Sequence, residues 1–92
     1  MKKILVVEDE SALQHAISSM LASKDYQVFS AVDGEEGINL ARKELPDLIL
    51  LDLILPKKDG FAVLTELKQE STTMNIPVII LTNLEGNADV ER

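Results

Sequence analysis

Four short apolar runs punctuate the chain, and between them apolar residues recur at helical spacing. The runs are Ile4-Leu5-Val6-Val7, Gln27-Val28-Phe29-Ser30-Ala31-Val32, Asp47-Leu48-Ile49-Leu50-Leu51-Asp52-Leu53 and Pro77-Val78-Ile79-Ile80-Leu81-Thr82. The first and third are unbroken, and predict strands buried on both faces, as in the middle of a parallel sheet. The second alternates in part and reads as a strand nearer an edge. Pro77 is tolerable because it stands at the start of the fourth.

Between the strands, Leu13, Ala16, Ile17, Met20 and Leu21 fall on one face of a helix that Lys24-Asp25 closes. Asp33-Gly34-Glu35-Glu36 opens a second helix, with Asp33 as N-cap and two acids in the first turn. Ile38, Leu40, Ala41 and Leu45 continue it, and Pro46 stops it. A loop with Pro and Asp-Gly turn chemistry, Ile54 to Gly60, leads into a third helix carrying Phe61, Val63, Leu64 and Leu67, which runs to about Ser71. Ala88 to Arg92 resembles the opening turn of a fourth.

The order is therefore β-α-β-α-β-α-β with the start of one more α. Strands that alternate with helices imply right-handed crossovers and an α/β doubly wound parallel sheet covered on both sides. No repeat or linker interrupts residues 1–92, so one domain is expected. A helix begun and not finished predicts that the sequence ends before the fold does.

Composition narrows the partners. A formal net charge of −7 argues against nucleic acid, which needs clustered Lys and Arg, and suits a bound cation. With no cysteine there is neither a disulfide nor a thiolate metal site. Met1-Lys2-Lys3 precedes only four apolar residues, too few for a signal peptide or a membrane span, so a soluble, cytoplasmic domain is expected.

In a parallel sheet the carboxyl ends of all strands share one edge. That brings Glu8, Asp9, Asp52 and Thr82 together, although they are far apart along the chain. Three carboxylates there raise one another's pKa unless a cation neutralises them, and oxygen ligands without His or Cys suit Mg2+. Beside such a cation, Asp52 is a usable nucleophile toward a phosphoryl group, and the Thr82 hydroxyl is placed to hydrogen-bond the product.

These residues bring the chain to a resemblance. Ile4 to Glu10, Asp33-Gly34-Glu35-Glu36-Gly37, Pro46 to Asp52, Leu55-Pro56 through Asp59-Gly60, and Pro77 to Thr82 together resemble the receiver domain of two-component response regulators. The resemblance implies a flavodoxin-like (CheY-like) fold, incomplete at its C-terminus, and phosphoryl transfer from a sensor histidine kinase onto Asp52. This is self-modification with Mg2+ rather than turnover of an external substrate. It further implies that Asp9 and Asp52 ligate Mg2+ directly, that the Ile54 backbone carbonyl is a third ligand, and that Glu8 acts through water. Thr82 would be the switch hydroxyl. Ile54, Asn83 and Leu84 occupy positions that tune dephosphorylation, and two bulky apolar residues among them predict slow hydrolysis.

Departures from that pattern carry expectations of their own. The family's phosphoryl-contacting lysine lies on a fifth strand that this chain does not reach, and Lys57 and Lys58 read as solvated loop charges rather than substitutes. Three situations follow for the chain: a piece of a longer protein, which is favoured, a strand-exchanged or other homodimer, or a poorly stable remnant. His15 reads as a surface residue, Met20 as core, Tyr26 and Phe29 as packing around the second strand, and Arg42 and Lys43 as complements to a helix dipole.

Three rival readings stay open at this point. A haloacid-dehalogenase-type phosphatase would want an acid where Ile54 stands. A nucleotide or flavin site would want Gly, Ser and Thr where Glu8-Asp9-Glu10 stands. A pseudo-receiver that only binds partners would keep the fold without being phosphorylated.

Overall fold

A computed structural model describes residues 1–55 and 57–81. The elements run β1 (Lys3–Val7), α1 (Ser11–Ala22), β2 (Gln27–Ala31), α2 (Gly34–Glu44), β3 (Leu48–Asp52), α3 (Gly60–Gln69) and β4 (Val78–Leu81). All pairings are parallel, in the order β2-β1-β3-β4. Strand order reverses between β1 and β3, since the chain leaves β1 for one side of the sheet and later returns to the other. Open α/β sheets carry their ligand crevices at such a switch point. Among the described residues β2 and β4 are the edges, as expected for β2.

The core lies on one face of the sheet. Leu5, Val7, Ala31, Ile49 and Leu51 pack there against Ile38 and Ala41 of α2 and Val63 and Leu67 of α3. Strand alternation sends Ile4, Val6, Leu48 and Leu50 to the opposite face, where α1 lies against β1 and β2. Ile4 and Val6 are buried there, whereas Leu48 and Leu50 are only half-buried. Among the described residues, full two-sided burial thus holds for β1 and not for β3, since α1 packs chiefly on β1 and β2.

The expected cap of α2 is present, and α3 has one that was read only as a turn. Asp33 accepts a hydrogen bond from the Glu36 N–H and Asp59 accepts one from the Ala62 N–H, so both helices start on an aspartate cap. α2 ends one residue early. Leu45 is left-handed (φ 47°) and half exposed, and its N–H bonds the Ala41 carbonyl, so it caps the helix rather than continuing it.

Two helix faces differ from expectation. On α1 the half-buried positions are Gln14, Ile17, Ser18 and Leu21, while Leu13 and Met20 are 43% and 55% exposed. The helix is turned by about one position because two polar side chains on its inner stripe bond to the sheet. Gln14 reaches main-chain carbonyls, and the Ser18 and Ser30 hydroxyls lie 3.3 Å apart. On α3 the inner line is Gly60, Val63 and Leu67, and Phe61 is 65% exposed. Gly60 must face inward, since a Cβ there would collide with the Asp52 carbonyl and the Leu53 Cα, and that orientation carries Phe61 out.

Lys57 is a solvated loop charge as expected, whereas Lys58 is engaged by another element. Lys57 lies 3.7 Å from Asp33, and Lys58 donates to Glu66 at 2.7 Å. Arg42 does more than complement a dipole, bonding Glu66 at 2.9 Å and both carboxylate oxygens of Glu70. Residues 82–92, including the expected start of a fourth helix, lie outside the described residues.

Candidate functional site

The site is assembled by strand register. Val7 pairs with Leu51, so the residues that follow them, Glu8 and Asp52, emerge side by side at the carboxyl edge of the sheet. Glu8 and Asp52 are only 3% and 7% exposed, and Asp9 is exposed beside them. One carboxylate oxygen from each of the three lies within 4.8 Å of the others. This is the acidic cluster expected from the strand ends. Thr82, Asn83 and Leu84 were expected at the same edge and lie outside the described residues.

The two buried carboxylates are held by different main-chain donors. The Glu10 N–H donates to Glu8 Oε2 at 2.9 Å, and the Ile54 N–H donates to Asp52 Oδ1 at 3.2 Å. The Gly60 N–H closes the loop after Asp52 onto the Leu53 carbonyl at 2.8 Å. Ile54 itself is 60% exposed, and it meets the site through its main-chain N–H. Burial pushes the Glu8 carboxyl above its usual 4.5, the Glu10 N–H pulls it back in part, and the charges of Asp52 and Asp9 push it further up.

The donor set is chemically selective. Three carboxylates are hard oxygen ligands, and a divalent cation would relieve the repulsion that Asp52 and Asp9 exert on Glu8. Two sets of contacts near this site escaped the sequence reading. Gln14 donates to the Glu8 carbonyl at 3.0 Å and the Ala31 carbonyl at 2.8 Å. The Lys58–Glu66–Arg42 chain ties the loop after Asp52 to α3 and α2. A polar residue at helical spacing from Ile17, Ser18 and Leu21 was the available signal for Gln14. Nothing local marks Lys58, whose partner lies on another element.

Comparison with known proteins agrees with this geometry. Residues 4–92 match the family described as the response regulator receiver domain. The chain is 41% identical over 87 residues to the response regulator PleD of Caulobacter vibrioides, covering 95% of the chain and 19% of that protein. It is 45% identical over 84 residues to the DNA-binding dual master transcriptional regulator RpaA of Synechocystis, covering 91% of the chain and 35% of that protein. The chain thus spans a minor part of these curated relatives. Among solved structures, the receiver domain of the sensor histidine kinase PA1611 from Pseudomonas aeruginosa aligns with a TM-score of 0.88 at 33% identity, over 99% of this chain and 75% of that one. That structure holds a magnesium ion in its active-site cleft. The N-terminal domain of a response regulator receiver protein from Methanoculleus marisnigri aligns with a TM-score of 0.83 at 32% identity, over 96% of this chain and 76% of that one. A parallel sheet in this order, an acidic cluster at its switch point and the match over residues 4–92 have one common meaning: the chain belongs to the response regulator receiver domain family.

Proposed function

We propose that this receiver domain accepts a phosphoryl group on Asp52 from the histidine of a sensor kinase. The supporting observation is the convergence of Glu8, Asp9 and Asp52 within 4.8 Å at the switch point, two of them buried. Asp9, Asp52 and the Ile54 carbonyl are the direct ligands for Mg2+ in this reading, with Glu8 acting through water. Mg2+, when bound, screens the charge on the transferring group.

The chain's own residues do the rest. The Ile54 N–H orients the Asp52 carboxylate, whose oxygen attacks phosphorus. The new P–O bond forms as the P–N bond to the kinase histidine breaks, and the electron pair returns to the imidazole. Thr82 is the switch hydroxyl in the same reading, and Ile54, Asn83 and Leu84 set a slow hydrolysis. The partner is a sensor histidine kinase in the cytoplasm. No described helix is long and apolar enough to cross a membrane. Pairing of copies along the β4 edge is the self-association this reading allows, and nucleic acid is not contacted by so acidic a segment.

The test is incubation with acetyl phosphate and Mg2+, followed by intact-mass and peptide mass spectrometry. One phosphoryl group on the peptide containing Asp52, lost with EDTA or in Asp52→Asn, is the expected result. Mg2+ binding without any phosphoryl gain would leave a partner-binding pseudo-receiver instead.

A further inference from the structure

We propose that Gln14 is a positioning residue for the acidic site, holding the turn that aims Asp9. The inference rests on the metal reading above and deepens it.

Asp9 is exposed, so packing does not set the direction of its side chain. Its aim depends on the main chain that leads into it, and the Gln14 side chain holds that side. The Gln14 N–H donates to the Glu10 carbonyl at 2.9 Å, the first bond of α1. Its side-chain amide donates to the Glu8 carbonyl at 3.0 Å. The side-chain bond therefore fixes the peptide group before Asp9, while the main-chain bond starts the helix one peptide further on.

The same nitrogen anchors this clamp to the neighbouring strand. Gln14 Nε2 donates its second hydrogen to the Ala31 carbonyl at 2.8 Å, and that carbonyl also accepts from the Glu8 N–H at 3.0 Å. Both side-chain partners are carbonyls, which only accept, so the amide nitrogen must face them. The ends of β1 and β2 and the start of α1 meet at this one side chain.

The α1 helix contributes no fully buried residue. Gln14 stands on its half-buried stripe, where an apolar side chain would serve packing equally well. An amide at that position leaves the carbonyls satisfied and the turn fixed. Groups that orient metal ligands from behind are commonly worth about tenfold or more in metal affinity.

The experiment compares Mn2+ and Mg2+ affinity in the full chain, in Gln14→Met and in Ser18→Ala, with urea unfolding of each in parallel. Met keeps the length of Gln and its neutrality while removing both side-chain N–H donors and leaving the main-chain bond to Glu10, so the local charge is unchanged. Ser18→Ala loosens the same α1–β2 contact without touching the turn. The expected result is a dissociation constant about tenfold weaker for Gln14→Met and unchanged for Ser18→Ala, whatever their urea midpoints. Equal affinity in Gln14→Met and the unaltered chain overturns the inference alone. Absence of binding in the unaltered chain overturns the metal reading and this inference with it. Should Gln14→Met fail to fold, the Gln14 side-chain NH2 resonances of the unaltered chain decide. A shift that tracks Mg2+ saturation supports the clamp, and resonances indifferent to the ion overturn it.

Discussion

The carbonyl oxygen of Lys58 occupies the space that a Cβ on Gly34 would need. The first residue of α2 is thereby pressed against the loop that follows Asp52, with the Val63 methyl at 2.7 Å from the same point closing the other side. Helix propensity alone favours alanine over glycine at such a position by up to about 1 kcal/mol. Close approach reverses the sign. Gly34→Ala is expected to destabilise the chain by about 1–3 kcal/mol, read as a lower urea midpoint at unchanged slope.

Glu8 carries a cost in the metal-free protein. Its folded-state pKa lies above 4.5, chiefly through burial, so its favourable contribution is fully present below that value and is lost as pH rises through the folded one. At neutral pH the ionised carboxylate therefore opposes folding. Glu8→Gln should raise the urea midpoint at pH 7 without metal, bring it closer to that of the unaltered chain near pH 4, and weaken Mg2+ binding. A stability gain combined with a binding loss separates a functional acid from a structural one.

Glu66 behaves in the opposite sense. The Lys58 ammonium, and then Arg42, hold its carboxyl below 4.5, so its contribution is present above that value and fades as pH falls through the lower, folded one. Lys58→Met should reduce stability slightly at neutral pH and low salt, and the difference should shrink in high salt, as for exposed pairs. Urea midpoints at two salt concentrations check this.

The rotation of α3 is testable by a pair of truncations. Leu67 is 1% exposed and Phe61 is 65% exposed. Leu67→Ala should cost about 2–5 kcal/mol, and Phe61→Ala at most about 0.5 kcal/mol. Equal costs would return Phe61 to the core face, where the spacing of apolar residues had placed it.

Much of the molecule was legible along the chain because it depends on local chemistry. Apolar runs without polar interruption become strands, Asp33 caps because its carboxylate reaches an N–H group three residues on, and acids directly after Val7 and Leu51 have to leave the sheet at its carboxyl edge. Those facts sufficed to gather Glu8, Asp9 and Asp52. Which face each helix turns inward was not local. Phe61 and Met20 are as apolar as the inward-facing residues of their helices, and they are outside because Gly60 alone fits against the Asp52 main chain and because Gln14 and Ser18 find partners on the sheet. The pairings of Lys58 with Glu66 and of Gln14 with Glu8 and Ala31 join different elements. Helical or strand periodicity records how a segment meets its surroundings on average, whereas a hydrogen bond between elements exists only once register and packing have set the two groups about 3 Å apart.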